Sequence, residues 1–228
     1  MTSQDTRRIQ MNINVFLDKL VSRSGENLVC LIHTGSRVRG EPRPDSDYDF
    51  TLIVSEVDRA VLDNVRNVLL DYSKISVYIL DERDLKHFPK AQFLQFIHSR
   101  KVYGECDFPK PSAEDVSMFV NTMRTNELDT LRHLLTLPHD TSRLVRRIAL
   151  SLKRAYICLT YLIFRETGVL PKKRLETIDY FRKKGAHRLG ISLLEILENW
   201  SIQKASVTAK PREYLHMLEE FWRTLAPR

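Results

Sequence analysis

The chain has 228 residues, 43% of them hydrophobic and 29% charged. That is enough apolar side chain to build a core, which excludes a disordered chain; seven Gly and nine Pro exclude a collagen-like or linker-like one. The net charge of +7 sits wholly in residues 111–228, with 20 Lys/Arg against 13 Asp/Glu, while residues 1–110 carry 16 of each. The asymmetry points to two domains with different work, the second facing something anionic, or to a helical surface that is simply basic.

Cys30, Cys106 and Cys158 are far apart and form no CxxC pair, so neither a disulfide framework nor a zinc knuckle is indicated. Cys30 and Cys158 lie in apolar surroundings and read as core. Met1 to Gln10 is polar and has no signal-peptide stretch. The longest apolar run, Ala155 to Phe164, has ten residues, whereas a bilayer span needs about 20. These features predict a soluble, cytoplasmic protein without a membrane partner.

In chain order, Ile13, Val15, Phe16, Leu20 and Val21 give an amphipathic helix over Asn12 to Ser24, ended by Gly25. Leu28 to His33 reads as a strand, Thr34 to Ser46 as a turn-rich stretch, and Tyr48 to Val54 as a second strand. A helix over Val57 to Tyr72 puts Val61, Val65, Leu69 and Leu70 on one side. Lys74 to Leu80 is a third strand, Ala91 to Ser99 a short helix and Lys101 to Tyr103 a short strand. After Pro109 and Pro111 the pattern is helical, near 113–136, 142–167, 173–184, 188–200 and 208–226, with breaks at Pro138, Gly168 with Pro171, Gly185 and Pro211. The expected class is α+β: a domain over 1–110 with a small mixed sheet and flanking helices, and an all-α bundle over 111–228. On the second long helix Leu144, Ile148, Leu152, Ala155, Leu159 and Leu162 form an apolar stripe. Arg143, Arg147, Arg154 and Arg165 lie opposite, read as a solvated face or as the lining of an anion cleft.

The informative segment runs from Thr34-Gly35-Ser36-Arg37-Val38-Arg39-Gly40 to Asp45-Ser46-Asp47-Tyr48-Asp49-Phe50. Asp47 and Asp49, two apart at a strand start, share a face. Two carboxylates on one face suit Mg²⁺, which prefers hard oxygen ligands. Gly35 lets backbone N–H groups approach a phosphate, and the Ser36 hydroxyl can donate to it. Arg37 and Arg39 stand nearby as cations, structural or solvent-facing. The ten residues between Ser36 and Asp47 can return the chain so that the two strands lie side by side. No Walker loop or Rossmann fingerprint is present.

With Gly35, Ser36, Asp47 and Asp49 in this spacing, the segment resembles the signature of nucleotidyltransferases of the DNA polymerase β type, in particular the minimal nucleotidyltransferases and aminoglycoside adenylyltransferases. Arg39-Gly40 fits the Arg-Gly pair common after Gly-Ser in that family. The resemblance implies that Asp47 and Asp49 bind Mg²⁺ and carry catalysis, and that Gly35, Ser36, Arg39 and Ser46 bind ATP or another nucleoside triphosphate. Leu150-Ser151-Leu152 and Thr167 to Lys172 are similar to the helical domain of the aminoglycoside adenylyltransferases. There a Lys after a helix-breaking Pro reaches the triphosphate; Lys172 matches it, with Lys173 in reserve, and an exposed Pro-Lys-Lys loop is the plainer reading.

One position departs from the family pattern. A third carboxylate is expected on the strand Lys74 to Leu80, where the apolar frame puts Ser76, which is no proton acceptor near neutral pH. Asp71 precedes the strand and Asp81 follows it. Three explanations stand: a carboxylate elsewhere, such as Glu114 or Glu127, replaces it; the reaction needs no strong base, because phosphoryl-type transfer depends mainly on positioning and electrostatics; or the protein binds nucleotide without turnover. The expected function is Mg-dependent transfer of a nucleotidyl group, in the first place AMP, to a hydroxyl of a small molecule or protein. The alternative is a regulatory or antitoxin-like nucleotide binder with a degraded site. The basic second half disfavours a polycationic acceptor and favours a neutral or anionic one. RNA binding or modification is a minority reading, resting on charge around Arg182-Lys183-Lys184 and on Arg182 and His187. That pair resembles the Arg-x4-His pattern of certain helical RNases, a short pattern that we weigh against.

Overall fold

The structure, a computed structural model, describes residues 3–42 and 46–225, those from 3 to 12 by backbone alone. Pro44 and Asp45 of the motif loop, and position 226 of the last predicted helix, lie outside the described residues. The chain divides into two compact units, Met1–Phe88 with Gln95–Pro109, and Pro89–Leu94 with Lys110–Arg228. The segment 89–94, which sequence reading gives to the first domain, therefore clusters with the second: Ala91 and Leu94 are buried in the helical core.

The first unit runs α1 (Ser3–Ser24), β1 (Leu28–Thr34), α2 (Gly35–Arg39), β2 (Tyr48–Val54), α3 (Arg59–Leu69), β3 (Ile75–Asp81) and β4 (Arg100–Gly104). The four strands make one mixed sheet in the order β3-β2-β1-β4. β1 is antiparallel to β2 and β4, and β2 is parallel to β3. One face carries Leu31, Phe50, Leu52 and Val54 into a core with Ile13, Phe16 and Leu20 of α1 and Val61, Val65 and Val68 of α3. The alternation of apolar residues on β1 and β2 predicts this directly. Two positions differ from expectation: Val15 and Leu70 are exposed. The buried stripe of α3 is 61-65-68, the i, i+4, i+7 row, and Leu70 lies past the end of the helix. Asp58 caps α3 by accepting from Val61 N–H at 2.7 Å.

The second unit is helical: α4 (Ala113–Thr136), α5 (Thr141–Thr167), α6 (Arg174–Lys184), α7 (Arg188–Glu198), α8 (Trp200–Ala209) and α9 (Pro211–Thr224). Sequence periodicity misses α8, whose single buried residue is Val207 and whose Ile202 faces solvent. Ser112 and Asp115 cap α4 reciprocally, and Asp140 caps α5 through Arg143 N–H at 2.8 Å. All six residues of the predicted α5 stripe are buried, as are Cys30 and Cys158. Trp222 of α9 is fully buried and donates its indole N–H to Ser151 of α5 at 3.0 Å. Among the described residues no helix is long and apolar enough to cross a membrane.

Three of the four arginines of the α5 stripe are engaged with α4 rather than left to solvent. Arg147 reaches Glu127 Oε1 of α4 at 2.5 Å, and Arg154 pairs with the same oxygen. Glu127 is wholly buried. Arg165 donates to Ser117 of α4 at 3.2 Å, and Arg143 is exposed. The stripe thus binds α5 to α4 around one buried carboxylate. Removing a partner from a buried pair leaves uncompensated charge. Glu127→Ala is expected to lower unfolding free energy by about 3–5 kcal/mol, seen as a lower urea midpoint, whereas Arg143→Ala leaves the midpoint in place.

Candidate functional site

The candidate site stands where β1 hands over to α2, beside the start of β2. Thr34, the last residue of β1, pairs with Asp49, and Asp49 pairs on its other side with Ser76 of β3. Laterally paired residues share a sheet face, so Thr34, Asp49 and Ser76 lie in one row across three strands. Asp47, two residues before Asp49 and exposed, falls on the same face by strand alternation. The Thr34 hydroxyl donates to the Asp49 carbonyl at 3.2 Å, tying the ends of β1 and β2.

Gly35 explains the Gly of the motif. Its φ is +81°, a region that L side chains rarely adopt. A Cβ there would stand 2.2 Å from Asp49 Oδ2 and 3.0 Å from Asp49 Cγ. The Asp49 carboxylate therefore rests against the bare backbone of Gly35. The stretch expected to be a turn is a short helix over Gly35–Arg39, ended by Gly40, with Glu41 N–H donating to the Ser36 carbonyl at 2.9 Å. Ser36 is half-buried in its first turn.

Arg37, which the sequence leaves open between structural and solvent-facing, is structural. Its Nη2 and Nε donate to the Ser46 carbonyl at 2.6 and 3.1 Å, Nε also reaches the Asp47 carbonyl at 3.2 Å, and the guanidinium lies 4.1 Å from the Tyr48 ring centre. Under it, His33 stacks on Tyr48 at 5.8 Å and on Phe50 at 4.7 Å. Sequence reading places His33 only at the end of the first strand. It is 6% exposed, and neither ring nitrogen has a hydrogen-bond partner among the described residues. Burial first, and then the charges of Arg100 and Arg37, push its pKa down to about 4. The neutral imidazole thus acts as a flat packing group. Arg39 is half-buried, with its Nε enclosed and without a hydrogen-bond partner among the described residues. Ser46 is half-buried and lends its carbonyl to Arg37.

The donor set of Asp47 and Asp49, two carboxylates on one face beside a glycine that leaves space for one of them, fits a hard divalent ion such as Mg²⁺. Among the described residues no group of three or more His, Cys, Asp or Glu side chains is arranged to hold a metal. Asp81 pairs with Val54, at the far end of β3 from Ser76. It accepts from Val57 N–H at 3.0 Å and from the Arg83 backbone and guanidinium, and these bonds hold its carboxyl well below the usual range. Asp71 is exposed, 3.5 Å from Lys19. Glu127 is committed to Arg147 and Arg154 in the helical core, which rules it out as a replacement carboxylate; Glu114 is exposed in the first turn of α4.

In the helical unit, Lys172 and Lys173 are exposed, and their backbone N–H groups donate to Glu176 at 2.8 and 3.4 Å. Arg182 pairs with Glu195 at 2.5 Å and Asp179 at 3.5 Å, and the His187 ring stands edge-on to Phe181 at 4.9 Å. Both residues of the Arg-x4-His pattern are thus engaged in packing or ion pairs of the bundle.

No protein-family model matches the sequence, and no curated protein matches it. Among solved structures the chain is similar to the spectinomycin adenyltransferase AAD(9) from Enterococcus faecialis, crystallised with ATP and spectinomycin. The TM-score is 0.52 at 14% identity, over 94% of this chain and 99% of that one. The fold is nucleotidyltransferase-like: a small mixed sheet followed by a helical region.

Two outcomes follow from this geometry. Gly35→Ala combines a left-handed backbone with a side chain in the place of Asp49 Oδ2, so thermal unfolding is expected to fall by about 1–3 kcal/mol. For His33 the folded pKa lies below the unfolded 6.5, so the unfolded chain binds more protons between these values. The neutral ring's contribution is present above pH 6.5 and is lost as pH falls towards 4. Urea midpoints measured from pH 7 to pH 4 are expected to fall less steeply in His33→Phe than in the wild type.

Proposed function

We propose that the protein transfers a nucleotidyl group, AMP from ATP in the first instance, to a hydroxyl of a small-molecule or protein acceptor. One observation carries this reading: the Asp49 carboxylate is seated on the backbone of Gly35, which supports taking the Gly-Ser segment and the carboxylate pair as one site. The likeness in fold to an adenyltransferase crystallised with ATP supports it. In this reading Gly35 and Ser36 bind the triphosphate through backbone N–H groups and the Ser36 hydroxyl, with Arg39 and Ser46 at the border of the same turn. Asp47 and Asp49 would hold Mg²⁺, which supplies charge stabilisation at the phosphoryl oxygens when bound. The remaining work of the chain is to bind and orient the nucleotide so that a hydroxyl can attack in line while pyrophosphate departs. Lys172, with Lys173 in reserve, enters as a triphosphate contact on the family resemblance. The surplus of positive charge in residues 111–228 favours a neutral or anionic acceptor.

A second reading has its own observation. Ser76 is exposed and level with Asp49 on the neighbouring strand, and it brings no proton acceptor to that row. This favours a protein that binds nucleotide without turnover, a regulatory or antitoxin-like role. Incubation with Mg²⁺ and α-labelled ATP, with and without cell extract, separates the two. Label transferred to metabolite or protein is expected, and it should fall on the order of 10²-fold or more in Asp47→Asn and Asp49→Asn, with both variants still folded. ATP bound with no label transferred supports the second reading. Full transfer in either variant overturns the site.

A further inference from the structure

We infer that Arg37 is a positioning residue, which sets the two metal-binding carboxylates against the Gly-Ser turn by clamping the backbone that carries them. The inference rests on the nucleotidyl-transfer reading for the identity of the site, and on its own geometry for the clamp.

Arg37 lies one residue after the Gly35-Ser36 pair, in the same short helix. Its guanidinium does not face outward as a free cation. Two of its nitrogens converge on the carbonyls of Ser46 and Asp47, the residues that enter β2. Its flat face lies on Tyr48, the residue between the two carboxylates. One side chain therefore ties the phosphate turn to three consecutive residues around the Asp-x-Asp pair. The column below is closed by His33 and Phe50, so Tyr48 is supported from beneath and the guanidinium from one side. The first rung between β2 and β3, from Tyr48 N–H to the Lys74 carbonyl at 2.8 Å, is at the same level.

The chemistry of the contact selects arginine. A planar fork can reach two adjacent carbonyls and lie on a ring at the same time. A lysine ammonium is a point charge on a flexible stem and cannot do all three. Because Nε and Nη2 are occupied by backbone carbonyls, Arg37 acts through the placement of Asp47 and Asp49.

The test compares Arg37→Lys and Arg37→Met with the wild type in two assays. In the first, binding of labelled ATP is titrated with Mg²⁺ by equilibrium dialysis. Both variants are expected to raise half-saturating Mg²⁺ by about 10–100-fold, as for partners that orient metal ligands, with ATP affinity in EDTA unchanged. A wild-type Mg²⁺ response in Arg37→Lys, or an equal loss of ATP affinity with and without Mg²⁺, overturns the inference in favour of a simple cation or a direct phosphate contact. The second assay needs no nucleotide. Amide exchange at Tyr48 to Phe50 is expected to quicken in both variants while Leu52 to Val54 stays protected; unchanged exchange at Tyr48 to Phe50 overturns the clamp. Should the wild type show no Mg-dependent ATP binding, the nucleotidyl-transfer reading fails, and the exchange assay still decides the clamp.

Discussion

The candidate site depends on the close approach of the Asp49 carboxylate to the backbone of Gly35. The pairing of β1 with β2 and the packing beneath it make this approach possible. The antiparallel register of β1 and β2 brings Thr34 opposite Asp49, and a one-residue slip would turn Asp49 into the core. That register is held by burial: His33 and Phe50 are paired, face the core and stack on each other. Asp47 and Asp49 stay on the wet side because Tyr48 and Phe50 are committed to the dry one. The apolar core therefore aims the carboxylates, and the glycine leaves room for one of them.

The second unit shows how a charge count can mislead about surface. The excess of +7 is real, yet some of the arginines of this unit are engaged with carboxylates. Arg147 and Arg154 share one buried carboxylate, Arg132 meets Glu219, Arg174 meets Glu198, and Lys184 meets Glu166. Exposed pairs of this kind add little stability, about 0–1 kcal/mol each, but they remove cations from the pool that could meet an anion. The two arginines around Glu127 are a different case. Desolvating a carboxylate is costly unless it is paired, and the position of Glu127 on α4 fixes where α5 must place its guanidinium groups.

Much of this was legible in the sequence, for physical reasons that can be named. Strand alternation located β1 and β2, and the i, i+4 stripe of α5 located the helical core. The Gly-Ser and Asp-x-Asp spacing marks the candidate site, because a carboxylate pair suited to a metal and a backbone turn suited to a phosphate each require particular residue types. The failures have equally definite causes. Helix α8 buries one side chain and so shows no period. Arg37 stays open between a structural and a solvent-facing role because its partners are backbone carbonyls, which leave no mark in the sequence. Its one trace is an aromatic, Tyr48, placed between two aspartates. The stripe on α5 reads as a solvated face because its partner, Glu127, lies on another helix, at no fixed spacing from the arginines.

Ser76 is where magnitude decides between readings. A positioned general base is worth about 10²–10⁴-fold in rate. On the nucleotidyl-transfer reading proposed above, most of the acceleration would come from orientation and from electrostatic stabilisation of the phosphoryl group, the task proposed for Gly35, Ser36, Asp47 and Asp49. A serine in the row of Asp49 and Thr34 therefore removes one factor and leaves the larger ones in place. On that reading Ser76 is compatible with a slow enzyme, or with one whose acceptor hydroxyl is acidic enough to need no base, as well as with the binder without turnover. Loss of all turnover would require a further defect, in the placement of the carboxylates themselves, and that placement depends on the register of β1 and β2 and on the groups packed beneath it.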